Sequence, residues 1–289
     1  MSKTFGIPYI GSKTKIAIDI LKRLPSGNRF VDLFGGGFAM THAAILTKRY
    51  DNFFYNDYNP LTVDLVKRAY NGEYNYKVFK PEFITREKFF ENRFKDGYIK
   101  FCYSFGNDGL TYAYGKEAEH IKHAAHDFVV FGEWSDILNN IDPRLKQVVK
   151  SKSIKKRREE FSGYCRKILK RNDLEHLEHL ERLERLQHLE RLEHLERTIC
   201  FNCGSYLDYE YQEGDIVYCD PPYEFTKKYD EPFNTKEFYN WAASRNYRLW
   251  FSSYKISDDR FRLVWAKRHT TSLGTWNNTK NFECLYTNK

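Results

Sequence analysis

Arg29-Phe30-Val31-Asp32-Leu33-Phe34-Gly35-Gly36-Gly37-Phe38 is the stretch whose reading decides the fold. Arg29 to Phe34 is short, apolar and aromatic, and it stops at glycine, as a buried strand does. The three glycines form a tight turn, and Phe38 to Tyr50 reads as a helix. Upstream, Lys15 to Arg23 is helical in pattern and ends at Pro25-Ser26-Gly27. Downstream, Phe53-Phe54-Tyr55-Asn56-Asp57 is a second strand, and a helix runs from Leu61 to Tyr70 after Asn59-Pro60. Strand, helix, strand, helix is the opening of a doubly wound parallel sheet. The alternation returns late in the chain. Thr198 to Asn202 and Ile216 to Cys219 read as strands, Thr235 to Ser244 as a helix and Arg248 to Ser252 as a strand. A final aromatic pair of strands lies near Leu263 to Thr270 and Glu283 to Tyr286.

The chain has 289 residues, 41% of them hydrophobic and 17% aromatic, enough for one large α/β domain or a domain with an insert. That composition excludes a disordered chain. A formal charge of +8 and a pI near 9.0 favour a polyanionic partner. No apolar run reaches the roughly 18 residues of a membrane span, and Met1-Ser2-Lys3-Thr4 lacks a secretory core. A soluble, intracellular protein with no membrane partner is therefore expected. Cys200 and Cys203 form a C-x-x-C, but no second pair follows, so structural thiols and no metal site are expected. His120, His123 and His126 recur every three residues, which is not the spacing of a helical zinc pair; they are expected to decorate a partly exposed helix.

From about Lys77 to Arg197 the alternation lapses into helical, aromatic and charged sequence. Residues 1–76 and 198–289 are accordingly expected to form one domain, and 77–197 a mainly helical insert. The basic segment 144–172 holds 12 Lys or Arg against two Glu, a net +10. Lys152, Lys155, Lys156, Arg157, Arg158, Arg166 and Lys167 within it are candidates for neutralising phosphates; a solvated helical face is the alternative. Phe101 to Tyr114, with Gly106-Asn107-Asp108-Gly109, reads equally as a loop that reaches nucleic-acid bases or as an aromatic core turn. In 174–197 leucine recurs every third residue, from Leu174 to Leu195. At about 100° per residue such a stripe drifts by roughly 60° per triplet and winds around an α-helix. The repeat is either an arm that packs on neighbours or a second subunit, or a tandem expansion tolerated within an insert.

Chemistry concentrates at Asp220-Pro221-Pro222-Tyr223. Prolines cannot continue a central strand, so they hold the backbone just past the sheet edge, where open α/β sheets bind ligands. One carboxylate, one carbonyl and one ring suit an exocyclic amine on a planar heterocycle, although Asp-Pro-Pro is also an ordinary strand stop. The glycine turn after the first strand fits a nucleotide-type cofactor, and Asp57 can accept from ribose hydroxyls or act as a helix N-cap. In Pro8-Tyr9-Ile10-Gly11-Ser12-Lys13, Tyr9 can stack on a ring and Lys13 can pair with a carboxylate.

Taken in order, aromatic-x-Gly-x-Lys, Asp-Leu-Phe-x-Gly-x-Gly, Asn-Asp, a long insert and Asp-Pro-Pro-Tyr resemble the DNA adenine methyltransferase (Dam) family of the D12 class. The resemblance spans roughly residues 5–70 and 198–289, including the closing Asn281 to Asn288; Ser12 departs from the family's glycine. It implies a Rossmann-like class I methyltransferase fold with a helical target-recognition insert. It further implies S-adenosylmethionine contacts at Tyr9, Lys13, Phe34, Gly35, Asp57 and Asp220. Asp220, Pro221 and Tyr223 would be catalytic towards an adenine flipped from double-stranded DNA, with no metal. The implied setting is the cytoplasm, on the nucleoid or in a phage host, within phage or restriction-modification biology, with a homodimer or repeat-mediated self-association conceivable. Methylation of cytosine N4 or of RNA, and a non-catalytic DNA-binding regulator on the same scaffold, stay open; Asp rather than Ser at 220 favours adenine.

Overall fold

The computed structural model describes residues 4–168, 188–193, 195, 197–223, 233–270 and 280–288. The chain divides into two compact units: Met1–Gly6, Gly11–Val63 and Leu195–Lys289 in the first, Ile7–Ile10 and Asp64–His194 in the second.

The first unit is built on a seven-stranded sheet: β1 (Arg29–Asp32), β2 (Asn52–Asp57), β3 (Ile199–Cys203), β4 (Asp215–Cys219), β5 (Leu249–Ser253), β6 (Arg262–Thr270) and β7 (Lys280–Thr287). Its order is β3-β2-β1-β4-β5-β7-β6, with parallel pairing from β3 to β5 and antiparallel pairing of β7 to both β5 and β6. The expected doubly wound α/β architecture is present. The order reverses between β1 and β4, which makes that junction the topological switch point.

The centre of the sheet is buried on both faces. Every residue of β4 and β5 is buried, which is why both read as continuous apolar runs. On one face Phe30 packs on Tyr50 and Tyr218, with ring centroids 5.2 and 6.3 Å apart. Helix α1 (Ala17–Leu21) and helix α2 (Ala39–Thr47) belong to this unit, and Ala39 to Ile45 of α2 are all buried. On the other face α10 (Thr235–Ser244) buries Phe238, Trp241 and Ala242 against Val217, Leu249 and Phe251. The Asn234 side chain caps α10 by accepting from the Glu237 N–H at 3.1 Å. Arg29 and Asp215, paired in register, fasten the amino ends of β1 and β4 with two 2.7 Å bonds.

The first strand stops at Asp32, two residues short of Phe34, because the chain has begun the glycine turn. Leu33 still donates to the Tyr218 carbonyl at 3.0 Å, and Gly35 then donates to Asn56 at 2.8 Å. Phe38 takes a left-handed φ of 66° at the start of α2, a conformation rare for a bulky residue.

The second unit contains most of α3 (Pro60–Tyr70), α4 (Arg86–Asn92), α5 (Gly97–Cys102), α6 (Lys116–Val130), α7 (Asp136–Ile141), α8 (Leu145–Val148) and α9 (Ile154–Ile168). His126 departs from the expected exposed row. It is buried, bonded to the Pro81 carbonyl at 2.8 Å, and burial lowers its pKa to about 4. His123 stacks on Phe83 at 4.3 Å. Of the leucine repeat, most of 174–197 lies outside the described residues; Leu189, Leu192 and Leu195 are buried.

A Cβ at Gly35 would stand 2.1 Å from the ring of Tyr55, which is fully buried and held by its hydroxyl donating to the Gly36 carbonyl at 2.7 Å. Gly35→Ala is therefore expected to lower unfolding free energy by about 1–3 kcal/mol. Urea unfolding followed by circular dichroism measures this, and an unchanged midpoint contradicts it.

Candidate active site

The site candidates in the first unit gather where three adjacent parallel strands end. Asp57 closes β2, Asp32 closes β1, and Asp220 follows the last residue of β4. β1 and β4 flank the switch point, and the carboxyl edge at such a point is where open α/β sheets bind ligands. Pro221 is buried just beyond β4 and ends its ladder.

Asp57 is drawn into the glycine turn. Its carboxylate accepts from the Gly36 N–H at 2.8 Å and the Asn59 N–H at 2.9 Å. Gly36 makes the first bond from φ +45°, a left-handed conformation suited to glycine. Asn56 steadies the same corner, donating to the Leu33 and Gly204 carbonyls at 2.9 and 3.1 Å. Burial raises the Asp57 pKa, against the two backbone bonds, which lower it. The N-cap of the following helix is Asn59 rather than Asp57, its side chain accepting from the Leu61 N–H at 3.0 Å, and Asp57 itself is half-buried. Phe34 sits in an aromatic group, 5.1 Å from Tyr206 and 5.6 Å from Phe238.

Lys13 reaches Asp220 from the residues before α1. Its backbone carbonyl receives Ile16 and Ala17 at 2.9 and 2.8 Å, which starts the first helical turn. Its ammonium lies 2.8 Å from Asp220 Oδ2, 3.4 Å from the Gly11 carbonyl and 3.7 Å from Glu283 Oε1. The ring of Tyr223 lies 4.7 Å from the same nitrogen, a cation–π distance. The Tyr223 hydroxyl is 3.2 Å from Asp220 Oδ1 and also bonds Glu283 Oε1. Its ring meets Tyr254 edge-on at 4.7 Å. Burial pushes the Asp220 carboxyl up to about 6; Lys13 opposes that rise and Glu283 adds to it. Asp32, almost wholly buried and bonded by Thr41 at 2.8 Å, is raised to about 7 by burial and by its acidic neighbours. Asp32 Oδ1 has no partner among the described residues.

Among the described residues four carboxyls stand against one lysine here, an arrangement suited to a cationic ligand. A small sulfonium cofactor of the nucleoside type fits that donor set: anionic surroundings for its charge, Asp57 for hydroxyls, and the bare glycine turn for close approach. Glu283 is the residue that sequence reasoning missed. Its signal was an acid inside the apolar strand Phe282 to Tyr286.

Tyr9 groups with the second unit, where its ring packs 5.2 Å from Phe101. In that unit Lys152, Lys155 and Lys156 are exposed on and before α9. Arg157 instead donates to the Val129 and Lys152 carbonyls at 2.6 and 3.1 Å, and Arg158 is buried. Arg157 ties α9 to α6, because backbone carbonyls at the end of α6 claim what a charge count assigns to solvent, and Arg158 is buried beside Tyr76. The side chains of Arg166 and Lys167 lie outside the described residues. Lys77 and Lys80, not foreseen, join Lys152 and Lys155 around a cavity of about 510 Å³ with Phe131 at its wall. The Phe101 to Tyr114 segment is an aromatic core turn at its base with an exposed tip. Tyr103 and Tyr112 are buried at its base, Ser104 bridges to Tyr112, and Phe105 and Leu110 are 61% and 44% exposed at its tip.

The family model described as D12 class N6 adenine-specific DNA methyltransferase matches residues 9–249. No curated protein matches the chain.

The raised Asp32 pKa has a consequence for stability. The unfolded chain ionises this group near its ordinary 3.8 and the folded chain near 7, so the folded state binds more protons between them. Its contribution is full below the lower value and is lost as pH rises to the higher one. Asp32→Asn is expected to flatten the fall in unfolding free energy over that window. Denaturant titrations at a series of pH values check it, and parallel curves for the two proteins contradict it.

Proposed function

The chain belongs to the D12 class N6 adenine-specific DNA methyltransferase family, and from that premise we propose that it methylates N6 of an adenine flipped out of duplex DNA, within a specific sequence, at Asp220-Pro221-Pro222-Tyr223. The family is a class of S-adenosylmethionine-dependent DNA adenine methyltransferases with a class I α/β fold. The observation that carries the finer reading is the Lys13–Asp220 ion pair of 2.8 Å at the end of β4.

An adenine amine is a weak nucleophile because its lone pair is delocalised into the ring. An ionised Asp220 and the Pro221 carbonyl are two acceptors for its N–H groups, and accepting both pulls the nitrogen towards a pyramidal shape. Lys13 keeps Asp220 ionised despite its burial, and so keeps it an acceptor. S-adenosylmethionine, when bound, supplies an electrophilic methyl group on a sulfonium. Asp57 and the Gly35-Gly36 turn are the contacts we assign to its ribose and backbone, with Phe34 beside them. Holding the amine in line with the methyl group is mainly a matter of position, and position is what strand ends provide. Tyr223 offers its ring edge and face near the amine site, and its hydroxyl orients Asp220.

For DNA we assign Lys77, Lys80, Lys152 and Lys155 to backbone phosphates, with Lys156 beside them. Phe105 and Leu110, apolar and exposed at a loop tip, suit a wedge that enters the space left by a flipped base.

Asp220→Ala is expected to reduce methyl transfer by at least about a hundredfold while the fold persists. Long-read sequencing of DNA from cells expressing either protein reports N6-methyladenine and its sequence context; equal methylation by the variant sinks the mechanism. Lys152→Ala with Lys155→Ala is expected to weaken DNA binding at all sequences and to lower the salt slope by about two. Fluorescence anisotropy at several salt concentrations tests this, and an unchanged slope removes these lysines from the interface.

A further inference from the structure

The Tyr223 hydroxyl touches two carboxyls, Asp220 Oδ1 at 3.2 Å and Glu283 Oε1. A phenol has one proton to donate. Both contacts are full hydrogen bonds only when one of the three groups carries an additional proton. All three are largely buried, and Lys13 lies 2.8 Å from Asp220 and 3.7 Å from Glu283. Methylation of an amine generates such a proton. We propose that Tyr223 and Glu283 form the exit path for the proton that N6 releases, running from Asp220 through the Tyr223 hydroxyl to Glu283.

This inference rests on the adenine methylation reading. The amine lone pair forms the new C–N bond, and the C–S bond breaks with its electron pair left on sulfur. The nitrogen, now positive with four bonds, gives one N–H proton to Asp220 and keeps that bonding pair. Asp220 passes its proton to the Tyr223 oxygen as the phenolic proton moves to Glu283, so no free tyrosinate forms. Glu283 ends neutral, Asp220 is again an anion facing Lys13, and one proton leaves to water after the product departs. Glu283 is delivered to this place by the antiparallel β7. Its neighbour Cys284 pairs with Ser253, the last residue of β5, which sets Glu283 at the same edge as the end of β4. Among the described residues, Lys13, Asp32, Cys219, Tyr254, Cys284 and Tyr218 also face the path, the last bonded to Ser252 at 2.7 Å.

Glu283→Gln preserves the contacts with Tyr223 and Lys13 but cannot take up the proton. Single-turnover methyl transfer at saturating S-adenosylmethionine is expected to fall about 10²–10⁴-fold, with KM for DNA within about threefold of the parent. Glu283→Ala is expected to fall similarly and to regain rate in proportion to added formate, which a merely structural residue would not do. Tyr223→Phe, which breaks the path in its middle, is expected to resemble Glu283→Gln and to gain nothing from formate. Parent-like rates in Glu283→Gln, or no formate response in a folded Glu283→Ala protein, overturn the relay. Absence of N6-methyladenine with the parent protein would instead overturn the methylation reading itself.

Discussion

The ammonium of Lys13 lies 2.8 Å from Asp220 and 3.7 Å from Glu283, with the ring of Tyr223 at 4.7 Å. Burying a carboxylate costs several kcal/mol unless it is paired and hydrogen-bonded. Here two are buried together, so mutual repulsion adds to desolvation and favours their neutral forms. A neutral Asp220 would be a poorer acceptor for an amine. Lys13 resolves the conflict with a single charge, and it can do so because the turn before α1 aims its stem across to the end of β4. Remove that cation and both the shape and the ionisation of the edge change together.

The frame around this cation is rigid for ordinary reasons of packing. β4 and β5 are buried along their whole length, and β1 is buried from Phe30 to Asp32. Their ends therefore have little freedom. The glycine turn is equally constrained. Gly35 fits under Tyr55, Gly36 bonds Asp57, and Phe38 accepts a left-handed φ of 66° so that α2 can begin at once. Such a backbone conformation persists only where its surroundings hold it. It brings the turn beside Asp57, whose carboxylate accepts from the Gly36 N–H at 2.8 Å.

Much of this was legible in the chain itself. Short runs rich in β-branched and aromatic residues that stop at glycine or proline marked the strands, and the joint order of Lys13, Asp32, Asp57 and Asp220 marked the edge. Local pattern could not show what distant segments do to one another. Glu283 lies 60 residues from Tyr223, and only the antiparallel insertion of β7 between β5 and β6 brings them together. Arg157 looked like a phosphate ligand because charge counting is blind to the carbonyls of Val129 and Val130, and Arg158 because it is equally blind to burial. His126 looked exposed because a three-residue spacing says nothing about the Pro81 carbonyl that receives it. Lys77 and Lys80 stood outside the dense basic segment, and the fold of the second unit carries them to Lys152 and Lys155.

The central claim is that the carboxylate, carbonyl and ring at the end of β4 present an adenine amine for methylation. The most direct measurement incubates the purified protein with duplex DNA and methyl-labelled S-adenosylmethionine, then digests the DNA to nucleosides for mass spectrometry. The account predicts label in N6-methyldeoxyadenosine alone. Label in N4-methyldeoxycytidine, or none in DNA, would contradict it.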